Sequence, residues 1–167
     1  MLDICMIDIV NFSGDMFELG YSKVYHTSNI NIAYGNKDNR KTVENRKIDM
    51  LVSPERETFG RNLVTMDSGL NEVICRLANK HNVAVGISFH DILTSKNRNE
   101  LLAKIMQNVR LCRKYKVKMV MASFAGNKFE MRHSKDMYNF CLVLGMNDKE
   151  AKEALNFKKK EDEVRFI

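Results

Sequence analysis

Three features of the 167-residue sequence predict an α/β fold: a reduced TIM-barrel-like ring of mostly parallel strands with outer helices. First, three apolar runs end on a serine and give way to a polar loop: Ile48-Asp-Met-Leu-Val-Ser53, Val83-Ala-Val-Gly-Ile-Ser88 and Val117-Lys-Met-Val-Met-Ala-Ser123. Second, a helix-patterned segment follows each run, and short β-rich runs alternating with helices mark βα units and a parallel sheet. Third, the chain is long enough for one domain with a real core, yet short of the roughly 250 residues of a complete eight-unit barrel. A count of about six to seven strands follows.

The elements run in order. Residues 2–10 read as a largely buried first strand, and Asn11 to Gly14 as turn chemistry. Lys23 to His26 and Ile30 to Tyr34 form two further short strands, and a polar helix lies near 39–46. The strand at 48–52 stops at Ser53-Pro54, because proline cannot continue it. Residues 55–66 make a charged loop carrying Glu55, Arg56, Glu57 and Arg61. A helix over about 68–80 has Leu70, Val73, Ile74, Leu77 and Ala78 on one stripe. A longer one over about 98–115 repeats the pattern with Leu101, Leu102, Ile105, Met106, Val109 and Cys112. Its opposite face gathers Arg110, Arg113 and Lys114. Ser134 is placed to cap a helix at 135–144, with Asp136 favourable in its first turn. Asn147-Asp-Lys-Glu150 has the form of a capping box opening a last helix to about Leu155. Residues 1–157 thus form a single βα-barrel-like domain, and 158–167 a charged tail that frays.

Composition narrows the function. No apolar run reaches the roughly 18 residues of a membrane span. The opening Met1-Leu-Asp-Ile-Cys has an acid where a signal peptide is basic, so a cytoplasmic protein without membrane partners is expected. The scattered Cys5, Cys75, Cys112 and Cys141 contain no C-x-x-C pair and read as buried thiols in a reducing compartment. The net charge of +6 conceals an asymmetry: residues 1–36 hold one lysine against four acids, and the remainder 26 Lys+Arg against 17 Asp+Glu. A basic excess of that kind is the electrostatic footprint of a polyanion partner.

Strand ends are where chemistry gathers in such folds, so the three serines mark the functional face. They nevertheless lack a G-x-S-x-G elbow, and a hydroxyl there usually caps the next turn. Neither G-x-G-x-x-G nor a Walker loop is present. The four histidines stand alone, with no H-x-H or H-E-x-x-H, so no metal ligand set is expected. The best an alternative reading can assemble, a metal-dependent phosphoesterase, is Asp8, His90 and Asp91. A sugar-phosphate-binding barrel using the strand-end serines is a third reading. The basic residues carry more: Arg40, Lys41, Arg110, Arg113, Lys114, Lys128 and Arg132 sit on loops and helix ends suited to phosphate contacts. Their spread over several units fits a broad RNA surface better than one pocket.

The ordered set of local sequences resembles a known family, protein component 3 of archaeal ribonuclease P, related to the p30-type subunit of the eukaryotic enzyme. It is carried by Ile48 to Pro54, Asp67-Ser-Gly-Leu-Asn71 through Ser88, Leu101-Leu102, Arg110, Lys114-Tyr-Lys-Val117, Ser123-Phe-Ala125, Lys128, Arg132, Asp136 and Leu144-Gly-Met146, over about residues 38–155. The resemblance implies a barrel related to a metal-hydrolase superfamily but lacking its metal cluster. It implies a noncatalytic subunit of an endoribonuclease whose RNA removes the 5′ leader of precursor tRNA, with Mg2+ held at the RNA and no cofactor on the protein. The implied partners are the ribonuclease P RNA, the component 2 protein (as a heterotetramer), other protein subunits and, indirectly, precursor tRNA. Arg110, Lys128 and Arg132 match the family's basic positions. Asp67, Gly69 and Asp136, with Ser53, Pro54, Ser88 and Ser123, match its structural motifs. The chain departs from the family in a shorter stretch before residue 38, an enlarged 55–66 loop, His90 in place of arginine and Ser134 in place of proline.

Overall fold

Six short strands form the centre of the molecule in the computed structural model, which describes residues 5–14, 19–57 and 67–158. They are β1 (Ile7–Val10), β2 (Lys23–His26), β3 (Ile32–Tyr34), β4 (Met50–Val52), β5 (Ala84–Ser88) and β6 (Met119–Ala122). Every pairing is parallel, in two sheets ordered β1-β2 and β3-β4-β5-β6. Two seams turn these sheets into a ring. On one side the chain leaving β6 bonds to β1, with Phe124 N–H donating to the Ile9 carbonyl and Asn11 N–H to the Ala125 carbonyl, both at 2.8 Å. On the other, β2 and β3 are consecutive, separated by residues 27–31 and a single 3-10 turn. One nearly continuous stretch therefore serves β1 with its first half and β4 with its second.

The ring has a filled interior. Ile9, Ile30, Met50, Val52, Ala84, Val120 and Ala122 come from around its circumference and pack with Phe124 and Phe157. Period-2 alternation explains this set: the residues between them point outward to the helices. Gly86 leaves room for Met50, whose Sδ would lie 2.6 Å from a Cβ at that position.

The helices lie outside. They are α1 (Asn39–Glu44), α2 (Glu72–Lys80), α3 (Phe89–Thr94), α4 (Arg98–Tyr115), α5 (Ser134–Val143) and α6 (Asp148–Ala154). One outer core joins α1, α2 and α4 to the sheet through Val43, Leu51, Cys75, Ala78, Val85 and Cys112. A second joins α3, α4, α5 and α6 through Ile92, Ile105, Met121, Met137, Ala151 and Ala154. Each fully buried aliphatic side chain contributes about 1.5–3 kcal/mol.

The limits of α4 agree with the apolar period, and Asn147 with Glu150 makes the expected capping box on α6. Three expectations shift. The second helix begins at Glu72 under an Asn71 cap, because Asp67-Ser-Gly69 before it is a turn with Gly69 at φ +76°. A short helix, α3, follows β5 directly; at six residues with one buried side chain it shows no 3.6 period. The cap of α5 is His133, whose side chain accepts from Lys135 N–H, so Ser134 is already helical and buried. Among the cysteines Cys75, Cys112 and Cys141 are buried, whereas Cys5 is exposed, since it precedes β1 outside the ring. The expected strand at 2–4, most of the 55–66 loop (58–66) and the tail from 159 lie outside the described residues. No helix among the described residues is long and apolar enough to cross a membrane.

Candidate functional site

The strand-end serines meet at the carboxyl end of the ring, and each is already bonded. Ser53 adopts φ +49°, and its Oγ donates to Asp91 Oδ2 at 2.6 Å. Ser88 caps α3 by accepting from Asp91 N–H at 3.1 Å. Ser123 gives both its N–H (2.6 Å) and its Oγ–H (2.7 Å) to Asp8, which also accepts from Ile9 N–H. Burial drives the Asp8 carboxyl up from its ordinary pKa, and these donors oppose that rise. Among the described residues no imidazole bonds to these hydroxyls, so they form no Ser-His pair. These bonds instead tie strand ends that are far apart in sequence.

His90, Asp8 and Asp91 are likewise committed to separate partners. His90 donates its backbone N–H to the Ser123 carbonyl at 2.9 Å, and its Nδ1 lies 2.7 Å from Glu130 Oε2. Glu130 also accepts from Gly126 N–H and Asn127 Nδ2. The Gly126 N–H, followed by the His90 bond, holds its carboxyl below the usual range. No cluster of three His, Cys, Asp or Glu side chains able to hold a metal occurs among the described residues.

A second polar knot lies beneath this end. Glu55, 5% exposed, follows β4 and accepts from Asn108 Nδ2 at 3.1 Å; the same amide donates to the Ser68 carbonyl. Burial, with the negative Asp91 nearby, pushes the Glu55 carboxyl up to about 7. Motif reading missed this pair. The available signal was Asn108 itself, an amide inside the apolar stripe of α4 between Ile105 and Val109, where a buried side chain needs partners. The adjoining turn is equally tied. Asp67 Oδ1 accepts from Gly69 N–H, and Asn39 Nδ2 donates to the carbonyls of Pro54 (2.8 Å) and Gly69 (2.9 Å). Asp136 is exposed in the first turn of α5, where its charge suits the helix dipole.

The structure divides the basic candidates between two ends of the ring. Arg40 and Lys41 open α1 just after β3, while Lys128 opens and Arg132 follows the 3-10 turn Lys128–Glu130 after β6, all at the carboxyl end. Arg110, Arg113 and Lys114 lie in the last turns of α4. That helix of 18 residues is about 27 Å long and leads into the start of β6, at the opposite end. The two groups cannot share a small pocket.

Their engagements differ too. Arg113 grips both oxygens of Glu150 (2.7 and 2.6 Å) and the Gly145 carbonyl (2.6 Å), clamping α4 to the start of α6. Its guanidinium in turn holds Glu150 below the usual carboxylate range. Arg40 pairs with Glu44 and Lys41 with Asp38, both largely exposed. Arg132 donates to the carbonyls of Phe129 and Met131 and lies 5.5 Å from the Phe89 ring. Lys114 stands 5.2 Å from the Tyr115 ring, and Arg110 is exposed.

Comparison with known proteins adds to this geometry. A family model described as RNase P subunit p30 matches residues 11–160. A ribonuclease P protein component 3 from Methanosarcina acetivorans is 33% identical over 138 residues, covering 80% of this chain and 54% of that protein. One from Methanothermobacter thermautotrophicus is 31% identical over 129 residues, covering 75% and 50%. A chain in the cryo-EM structure of archaeal ribonuclease P with mature tRNA superposes with a TM-score of 0.64 at 31% identity, covering 75% of this chain and 52% of that one. The present chain spans about half the length of the relatives it matches.

Proposed function

This chain belongs to the RNase P subunit p30 family, and on that premise we propose that it is a noncatalytic, RNA-binding protein subunit of a ribonuclease P. In this role it supports RNA-catalysed removal of the 5′ leader from precursor tRNA. The single observation carrying this beyond family membership is the contrast between the two kinds of polar group. The carboxylates and serines at the ring's carboxyl end are spent on one another, while cationic side chains occupy both ends of the ring.

The chemistry of such a subunit is charge neutralisation. Lys and Arg side chains displace counterions from phosphates and let RNA helices approach. The expected divalent ion is Mg2+, held by the RNA. Arg110 and Lys128 are the side chains best placed to act on phosphates, one at each end. Arg113 and Arg132, whose guanidinium groups already hold Glu150 and backbone carbonyls, act mainly by shaping the surfaces beside them. Two ends separated by the length of α4 suit a protein that bridges an RNA and a second subunit, the component 2 protein of a heterotetramer, with further subunits around them.

Reconstitution tests this directly. Cognate RNA and the remaining subunits are assayed on precursor tRNA at low Mg2+, with and without this chain. The expected result is a gain in cleavage on adding it. RNA affinity should fall with salt by a log–log slope of about −0.7 to −0.9 per phosphate contact. Absence of gain, affinity indifferent to salt, or stoichiometric zinc or manganese with turnover by the protein alone would each overturn the reading.

A further inference from the structure

Phe129 is the most exposed large apolar side chain among the described residues, at 74%. A single exposed apolar residue is ordinary on a protein surface; what sets Phe129 apart is its mount and the cation beside it. The mount is the turn Gly126 to Arg132. Asn127 Oδ1 accepts the Phe129 N–H at 3.0 Å, and Arg132 Nη1 donates to the Phe129 carbonyl at 2.9 Å. Glu130 is turned inward onto Gly126 N–H, Asn127 Nδ2 and His90 Nδ1, so its negative charge is met within the turn. Arg132 is itself seated against Phe89, which packs edge-on to Phe140 at 5.4 Å. The backbone beneath the ring is therefore held from both sides. Beside it, the Lys128 ammonium stands 5.5 Å from the ring centroid.

An exposed π-face on an anchored backbone, next to a cation, has the composition of a single-strand nucleic-acid contact: the ring stacks on a base and the ammonium meets a flanking phosphate. Along duplex RNA it has nothing to stack on, because each base face is covered by its neighbours and only base edges and 2′-hydroxyls reach the grooves. A protein partner fits less well. Its sequence neighbours Asn127, Lys128 and Glu130 are polar or charged, a composition that suits nucleic acid better than the apolar centre of a protein hot spot. We propose that Phe129 is a stacking platform for one unpaired base of the RNA, with Lys128 contacting the adjacent phosphate. This rests on the RNA-binding reading above and names the RNA feature recognised at the ring's carboxyl end.

The test measures binding of the full chain to cognate ribonuclease P RNA by fluorescence anisotropy across a salt series. Phe129→Ala should weaken binding roughly 5- to 150-fold, the equivalent of about 1–3 kcal/mol of stacking, with an unchanged salt slope. Phe129→Trp should bind like the parent. Phe129→Leu should fall with the alanine variant, because it keeps apolar area and loses the π-face. Lys128→Ala should make the slope shallower by about 0.7. Thermal melts of each variant, expected to match the parent because the ring is exposed, separate lost binding from lost folding. Parent-like RNA binding by both Phe129→Ala and Phe129→Leu would overturn the platform and leave the RNA-binding reading intact. So would a loss confined to binding of the component 2 protein. A parent chain that binds no RNA at any salt would overturn both.

Discussion

Glu55 offers the sharpest test of the interior. Its carboxyl is pushed from an ordinary 4.5 up to about 7, chiefly by burial. Below pH 4.5 the folded and unfolded chains both carry the proton, and the group contributes no pH dependence. Between 4.5 and 7 the unfolded chain releases it while the folded chain keeps it, so stability falls as pH rises, by up to about 1.4 kcal/mol per pH unit. Above 7 both forms are ionised, and a penalty of about 3 kcal/mol persists. Glu55→Gln keeps the shape and an oxygen to accept from Asn108 Nδ2, but cannot ionise. Urea unfolding of the two proteins from pH 4.5 to 8.5 should show near-equal stability at the acid end. The variant should be more stable by about 2–3 kcal/mol at pH 8, with the gap opening between 5 and 7. Parallel profiles for the two proteins, or a parent that gains on the variant through that window, would refute the reasoning.

Four further outcomes follow from the geometry. Ser123→Ala removes one donor from the buried Asp8 carboxylate and should cost about 1.5–3 kcal/mol in urea unfolding, as for a hydrogen bond to a charged group. Gly69→Ala places a Cβ 1.9 Å from the Pro54 carbonyl oxygen at φ +76°, so a loss above about 2 kcal/mol and reduced soluble yield are expected. Arg113→Ala breaks a bidentate pair and should lower stability by about 1 kcal/mol with little change in the RNA salt slope, whereas Arg110→Ala should leave the melting temperature unchanged and make the slope shallower by about 0.7–0.9.

The cationic split gives these measurements a common frame. Substitutions at Lys128 and Phe129 probe the carboxyl end of the ring, and Arg110 the opposite end. Combining one from each end distinguishes a protein that lays both ends on RNA from one that offers RNA a single end and a protein the other. In the first case the two losses add, as expected for independent sites far apart. In the second, one of the two changes affects only assembly with the proposed protein partner.

Sequence by itself determined what depends on near neighbours. The 3.6-residue apolar period located α4 from Arg98 to Tyr115, and Asn147 with Glu150 announced the start of α6, because period and cap are set within a few residues of backbone. Serine-ended apolar runs likewise placed β4, β5 and β6, and the absence of paired histidines was visible before any geometry. Tertiary structure alone decided which groups meet. Ser123 and Asp8 are 115 residues apart, Glu55 and Asn108 are 53, and Arg113 and Glu150 are 37. No local pattern encodes such pairs; the register of parallel strands and the rotation of helices on the ring bring them together. The same register lets residues 23–34 serve both sheets, β2 pairing with β1 and β3 with β4. Burial then decided the partners: the strand-end serines and carboxylates are bonded to one another, while Phe129, an unremarked residue in a short polar turn, is largely exposed beside a lysine.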